Sequence, residues 1–373
     1  MRSVLLDLPG AIARGTAGDE APHPDAAIAW HYGDPLGEQR AAEIGAALFD
    51  LSHRDVLAVT GADAGTWLHS LTSQDFLSLV PGGSSESLIL SPQGHVEHHF
   101  AVTRHTGADQ QETLYLDTEP GRGAALLQYL TTMRFWSAVE LAPTDLALLR
   151  VDGPRSDEIV TAAAPFALFV RGTSGADPAA VIGTGQGITL AVPRDRFAAA
   201  AAAALAAGAR AAGSWAADAL RIPARIPRLG VDTDDRTIPN ETRWLAAAVH
   251  ANKGCYRGQE TVARVSNLGR PPRRLVVLNL DGSVDHLPAT GDDVVTDAGR
   301  TVGRAGTVAY HHELGPIALA LVKRSLPVDT PLTIDGVAAL IDPDGYSDHA
   351  DTAADAPPRS VIDRRALPDL RRR

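Results

Sequence analysis

Lys253-Gly254-Cys255-Tyr256-Arg257-Gly258-Gln259-Glu260 stands a few residues ahead of Gly269-Arg270-Pro271-Pro272, where the grammar of the chain changes. Before that break the pattern mixes helix and strand; after it, short strands follow one another with no helix between them. The eight residues hold the single cysteine of the chain. Lys253 and Arg257 flank Cys255 two residues to either side, and nearby cations favour thiolate over thiol. Gly254 and Gly258 admit backbone conformations that a Cβ forbids, which suits a tight loop presenting its side chains. Gln259 and Glu260 add an amide and a carboxylate for hydrogen bonding. Cysteine is also a common small buried hydrophobe, so residue type alone leaves a structural role for Cys255 open.

Downstream of the break, strands are expected at 275–280, 294–296, 304–310, 317–322 and 332–341, separated by turns of Gly, Asp and Pro. That close spacing predicts a small antiparallel barrel over 269–345. Upstream, 55–60 is a β-rich run ending at Gly61, and a helix carrying Trp67, Leu68 and Leu71 follows. A hairpin with Ser91-Pro92-Gln93-Gly94 at its turn, a strand at 113–116 and a helix at 122–132 complete one unit. Leu148 to Gly153 then echoes Ala58 to Gly61, and a strand at 188–192 precedes an alanine-rich helix at 196–207. Two split β-α-β units give this order, so the class is α+β, with an α/β region at 31–268 divided near residue 140. Residues 1–30 read as a loose arm, and 346–373, closing with Arg371-Arg372-Arg373, as a disordered tail.

Composition narrows the function classes. Lys+Arg number 34 against 45 Asp+Glu, a net charge of −11, which argues against a surface built to coat nucleic acid. One thiol forms no internal disulfide and holds neither an iron–sulfur cluster by four thiolates nor a cysteine-rich zinc site. No signal peptide or membrane span is read, which places the protein in the cytoplasm.

The octapeptide is similar to the signature of the YgfZ-type folate-binding proteins, and all eight positions fit. Phe49-Asp50-Leu51-Ser52-His53, Ile238-Pro239-Asn240-Glu241 and the hairpin around Gly94 also resemble that family, so the likeness runs from about Asp34 to Ile341. It implies a fold like that of the glycine-cleavage T-protein: two ferredoxin-like α/β units and a terminal β-barrel around a folate pocket. It further implies tetrahydrofolate as ligand, iron–sulfur client enzymes or assembly proteins as partners, and Cys255 as the key residue. Lys253, Gly254, Tyr256, Arg257, Gly258, Gln259 and Glu260 would form its setting, and any effect on tRNA modification would arise indirectly, through a client enzyme.

The resemblance to the T-protein also exposes departures. Where that enzyme carries its aspartate, Gly94-His95-Val96-Glu97-His98-His99-Phe100 has none, so aminomethyl transfer is disfavoured; transfer with His98 or Glu97 in the aspartate's place is the alternative. Pro223 stands where a pterin-contacting glutamate is expected. His95 and His99 share a strand face with Glu97, but no second ligand cluster accompanies them and no metal is assigned; His311-His312 is a weaker pair still. For the folate glutamate tail, Arg221, Arg225, Arg228, Arg264 and Arg270 are the basic candidates, with His98 beside them. Trp244 either stacks on a flat ring or, with Leu245 and Val249, makes a helical core contact, which its spacing favours.

Overall fold

The computed structural model describes residues 2–15, 23–172 and 187–343; the tail expected at 346–373 lies outside the described residues. Among the described residues the strands form two five-stranded sheets, a closed barrel and a small two-stranded sheet. After the short strands β1 (Ile12–Ala13) and β2 (Ala29–His31), helix α1 (Pro35–Ile44) begins at Asp34, whose carboxylate accepts from the Gly37 N–H, with Pro35 in the first turn. Then come β3 (Ala47–Asp50), β4 (Asp55–Thr60) and α2 (Ala64–Leu71), followed by β5 (Ser84–Leu90), β6 (Val96–Thr106), β7 (Glu112–Thr118) and α3 (Gly123–Thr132). Next are β8 (Glu140–Pro143), β9 (Leu146–Asp152), α4 (Ser156–Ala163), β10 (Phe169–Arg171), β11 (Gly187–Pro193), α5 (Phe197–Ala206), β12 (Arg210–Ala212) and α6 (Ser214–Arg221).

The first sheet runs β5-β6-β7-β4-β8 and buries Ile89, Phe100, Val102, Leu57 and Leu116 against Leu68 of α2 and Leu126 and Leu130 of α3. The second runs β10-β11-β9-β3-β12 and packs Leu149, Val151 and Leu190 against α4 and the alanine face of α5. The expected division near residue 140 is crossed by β3. Every residue of β3 is buried, so both of its edges must be paired. It pairs antiparallel with β9 and parallel with β12, inside the second sheet. The early chain thus completes the later unit.

Past α6 the chain passes through α7 (Trp244–Ala248) and α8 (Gln259–Leu268) into six strands: β13 (Arg273–Leu280), β14 (Asp293–Thr296), β15 (Thr301–His311), β16 (Gly315–Lys323), β17 (Leu332–Ile334) and β18 (Val337–Ile341). They close as β13-β16-β15-β14-β17-β18, with β18 returning to β13. The single strand expected at 332–341 is a hairpin. Asp335 (φ 46°) and Gly336 (φ 79°) form its two-residue turn, the left-handed pair that tight hairpins need.

The arm expected to be loose over residues 1–30 is packed where it is described. Ser3 hydrogen-bonds the Asp50 carboxylate, β1 pairs with β2, and Asp25 is 1% exposed. The barrel docks on α1 through Gln39, which donates to the Tyr310 carbonyl and accepts from the His312 N–H, both at 2.9 Å. No helix among the described residues is long and apolar enough to cross a membrane.

Candidate functional site

The octapeptide spans the approach to α8, and two glycines fix where it sits. Gly258, the residue before α8, has φ +80°, and a Cβ there would lie 2.5 Å from the Ser91 carbonyl oxygen. Gly94, in the β5–β6 turn, has φ +83° and would drive a Cβ to 2.8 Å from Thr261. Two left-handed glycines therefore let the hairpin turn and the start of α8 meet backbone to backbone. Asn240 fastens the helix from behind, donating to the Val262 carbonyl and to Ser266 Oγ. Glu241 beside it binds Arg273 at the head of the barrel. That explains the Ile238–Glu241 stretch, to which the sequence alone assigned no role.

Cys255 is exposed. The two cations that flank it in sequence are both engaged elsewhere. Lys253 turns inward, and its ammonium donates to the carbonyls of His69, Thr72 (2.5 Å) and Gln74 (2.9 Å), at the C-terminal end of α2. Carbonyls of a last helical turn have no partner inside the helix, so a cation there meets both an unmet acceptor and the negative end of the dipole. Burial pushes the Lys253 pKa down to about 8, partly opposed by Asp75, and at neutral pH the ammonium still prevails. Ser73 adds to the same clasp: its hydroxyl donates to the Ala248 carbonyl and its carbonyl accepts from the His250 N–H. Arg257 reaches Glu97 at 2.9 Å and lies over the Tyr129 ring. Tyr256 donates its N–H to Gln259 Oε1, while Gly254 and Glu260 are exposed. The loop is thus held on both sides while its thiol faces outward.

On β6 a bulge breaks the expected alternation: Leu90 pairs with Val96 but Ile89 with His98, leaving Glu97 as the extra residue. The face shared by His95, Glu97 and His99 does not form. His99 points inward, stacked on Trp244 at 4.7 Å and 2.8 Å from Glu86, whereas Glu97 points out to Arg257. For Glu86 burial acts upward, but the His99 bond and the Arg243 and Arg171 charges outweigh it and hold the pKa low. His98 lies on the other face beside Tyr129, ring centres 5.7 Å apart. Burial, helped by the charge of Arg122, lowers the His98 pKa to about 4, so its imidazole is neutral at physiological pH.

Two of the arginines expected to touch folate need correction, and Trp244 takes the core position that its spacing favours rather than a place beside the ligand. Arg221 is 3% exposed and saturated: it binds Asp218, Asp232, Thr307 and the Ile226 carbonyl, tying α6 to the barrel. Arg228 is likewise spent, donating to Asp25 through both terminal nitrogens, Nη1 and Nη2 (2.7 and 2.8 Å), and to Glu119 through Nε at 2.9 Å. Trp244 is 1% exposed in a core with Leu88, Leu90 and Val262, which leaves no free ring face for a ligand. A buried guanidinium needs counter-charges and a buried indole needs apolar neighbours, and folding supplied both internally. Arg225 and Arg270 also have partners, whereas Arg264 is exposed on α8.

The network around Arg228 was not foreseen. Asp25, Arg228, Glu119, Arg54, Asp117 and Arg171 form one alternating chain of charges joining the N-terminal segment, both sheets and the segment after α6. His53 Nε2 lies 3.0 Å from Asp25. Although burial alone would raise them, neighbouring guanidinium groups hold the carboxyls of Asp25, Asp117 and Glu119 below their ordinary range. The Phe49–His53 resemblance was the one signal near it.

Glu43, His311 and His312 also converge, with potential ligand atoms within 4.8 Å of one another and Glu43 3.0 Å from His312. His311 Nδ1 accepts the Glu313 and Leu314 N–H groups, which puts the proton of its neutral ring on Nε2 and leaves no free lone pair for a metal. The trio reads as a latch between α1 and the barrel hairpin.

Two α/β sheets interleaved through β3, a six-stranded terminal barrel and a clasped cysteine loop define a T-protein-like architecture. Residues 30–253 match the family model described as GCVT N-terminal domain, and residues 273–344 match CAF17, C-terminal beta-barrel domain. The chain belongs to the GCVT family. It is 31% identical over 223 residues to an aminomethyltransferase of Bordetella petrii, an alignment covering 56% of this chain and 60% of that one. An aminomethyltransferase of Symbiobacterium thermophilum is 28% identical over 322 residues, covering 78% of this chain and 82% of its own. Among solved structures, the glycine cleavage system aminomethyltransferase T from Bartonella henselae superposes with a TM-score of 0.73 at 20% identity, covering 94% of this chain and 96% of that one. This last likeness supports the T-protein-like fold expected from the sequence.

Proposed function

We propose that this protein is a tetrahydrofolate-binding accessory factor for the assembly or repair of iron–sulfur enzymes, acting in the cytoplasm through Cys255. The observation that carries the reading is the presentation of the thiol. The single cysteine of the chain is exposed on a loop held by Lys253 on one side and by the Gly94–Gly258 contact on the other. A cluster needs several thiolates, so one cysteine suits transient contact with a client that supplies the rest. The CAF17-type barrel supports the same reading, and bound folate would lie near the Tyr129, His98 and Arg257 face. The test is iron–sulfur enzyme activity in extracts of cells lacking this gene, restored with wild type or Cys255→Ala. Restoration by wild type alone is expected; equal restoration by both sinks the role of the thiol.

A second reading, one-carbon transfer of the aminomethyltransferase type, is favoured by the names of the relatives and by the neutral His98 imidazole. Against it, Glu97, the nearest carboxylate along β6, is committed to Arg257. Methylene-tetrahydrofolate formation by purified protein, lost in His98→Ala, would establish this reading; no turnover with any aminomethyl donor would dismiss it.

A further inference from the structure

Arg122 stands apart from the arginines around it. Arg54, Arg171, Arg221 and Arg228 are each locked to buried carboxylates, and Arg257 to Glu97. Arg122, half-buried at the start of α3, makes no side-chain hydrogen bond or ion pair among the described residues. The carboxylates around it in the chain are taken: Glu119 by Arg54 and Arg228, and Asp55 by the Gly123 N–H at 2.8 Å. A half-buried guanidinium with no counter-charge pays for its desolvation without return, which is unusual unless an anion completes it.

Its surroundings fit an anion. Gly230 (φ +82°) leaves room for the guanidinium: a Cβ there would fall 2.0 Å from Arg122 Nη2. His98, which feels the Arg122 charge, is neutral and so repels neither an anion nor Arg122, while its ring nitrogens offer a donor and an acceptor. The Tyr129 ring lies close to both His98 and Arg257 and offers a flat apolar wall. Arg257, which also lies over Tyr129, belongs to the cysteine loop and stands two residues after Cys255.

We propose that Arg122, with His98 and Tyr129, forms an oxyanion subsite that takes a carboxylate of the bound ligand. On the folate reading, on which the identity of this ligand rests, the carboxylate belongs to the glutamyl tail. Arg122 then discriminates folates from pterins that lack the tail, a task for which Arg221 and Arg228 have no free donors.

The test compares wild type, Arg122→Met and Arg122→Lys by calorimetry with 5-formyltetrahydrofolate and with 6-methyltetrahydropterin, which has no carboxylate. Loss of a charge-assisted, two-pronged contact is expected to weaken the first ligand about tenfold or more and to leave the second unchanged, with Lys recovering part of the loss. An equal loss for both ligands, or no loss for either, overturns the subsite. If wild type binds neither ligand, the folate reading fails, and inorganic sulfate followed by the His98 ring resonances decides the subsite alone. A sulfate-dependent shift in wild type that is absent from Arg122→Met upholds it; no shift in wild type overturns it.

Discussion

Replacing Lys253 with Met keeps an unbranched chain of similar length and removes the ammonium, so it isolates the clasp beneath the cysteine loop. Three carbonyls then lose their donor: those of His69, Thr72 and Gln74. Thr72 is fully buried and no water replaces the lost bond there, whereas His69 and Gln74 are half-buried and regain part of theirs. A buried carbonyl left unpaired costs about 1–3 kcal/mol. One full and two partial penalties, less the relief of an ammonium no longer desolvated, come to about 2–4 kcal/mol. Urea unfolding at pH 7 measures this as a lower midpoint. The second readout is local: with the peg gone, the segment from Ala248 to Cys255 loosens before the whole molecule does, and the iodoacetamide reaction of Cys255 changes rate in unfolded-state-free conditions. A loss below about 0.5 kcal/mol, the range of an ordinary surface substitution, with an unchanged alkylation rate, would refute the claim that Lys253 holds the loop.

Arg228→Met leaves Asp25 and Glu119 buried without their main counter-charge and is expected to cost about 3–5 kcal/mol in urea midpoints. Because the Asp25, Asp117 and Glu119 pKa values are lowered by folding, their stabilisation is fully present above the unfolded carboxylate range and is lost as pH falls below about 4. Midpoints taken at pH 7, 5 and 3.5 should show that fall in wild type and a weaker one in Arg228→Met. Gly258→Ala places a Cβ against the Ser91 carbonyl on a left-handed backbone and should cost at least about 2 kcal/mol, while Gly254→Ala, with open space around it, should be close to neutral by the same assay.

Much of this molecule was legible in the chain itself. Short apolar runs cut by Gly, Asp and Pro marked the barrel, and the alanine-rich run of 197–206 marked a helix, because both signals are local. The octapeptide named its own cysteine and its two glycines. Even the missed β17–β18 turn was written as Asp335-Gly336. What the sequence could not decide was which partner each charge and each edge would find. β3 joins the later sheet because only there are both its edges paired. Arg221, Arg228 and Trp244 look like ligand contacts by residue type, but carboxylates or apolar side chains distant in sequence claim them. Lys253 flanks Cys255 in sequence yet serves α2, about 180 residues away, whereas the side chain of Arg122, unremarkable in the chain, emerges without a partner among the described residues. Residue type sets what a side chain is able to bind, and the motif is local enough to be read directly. Which groups are left free to bind anything else depends on long-range pairing under the cost of burying unpaired charge, and only the tertiary structure settles that.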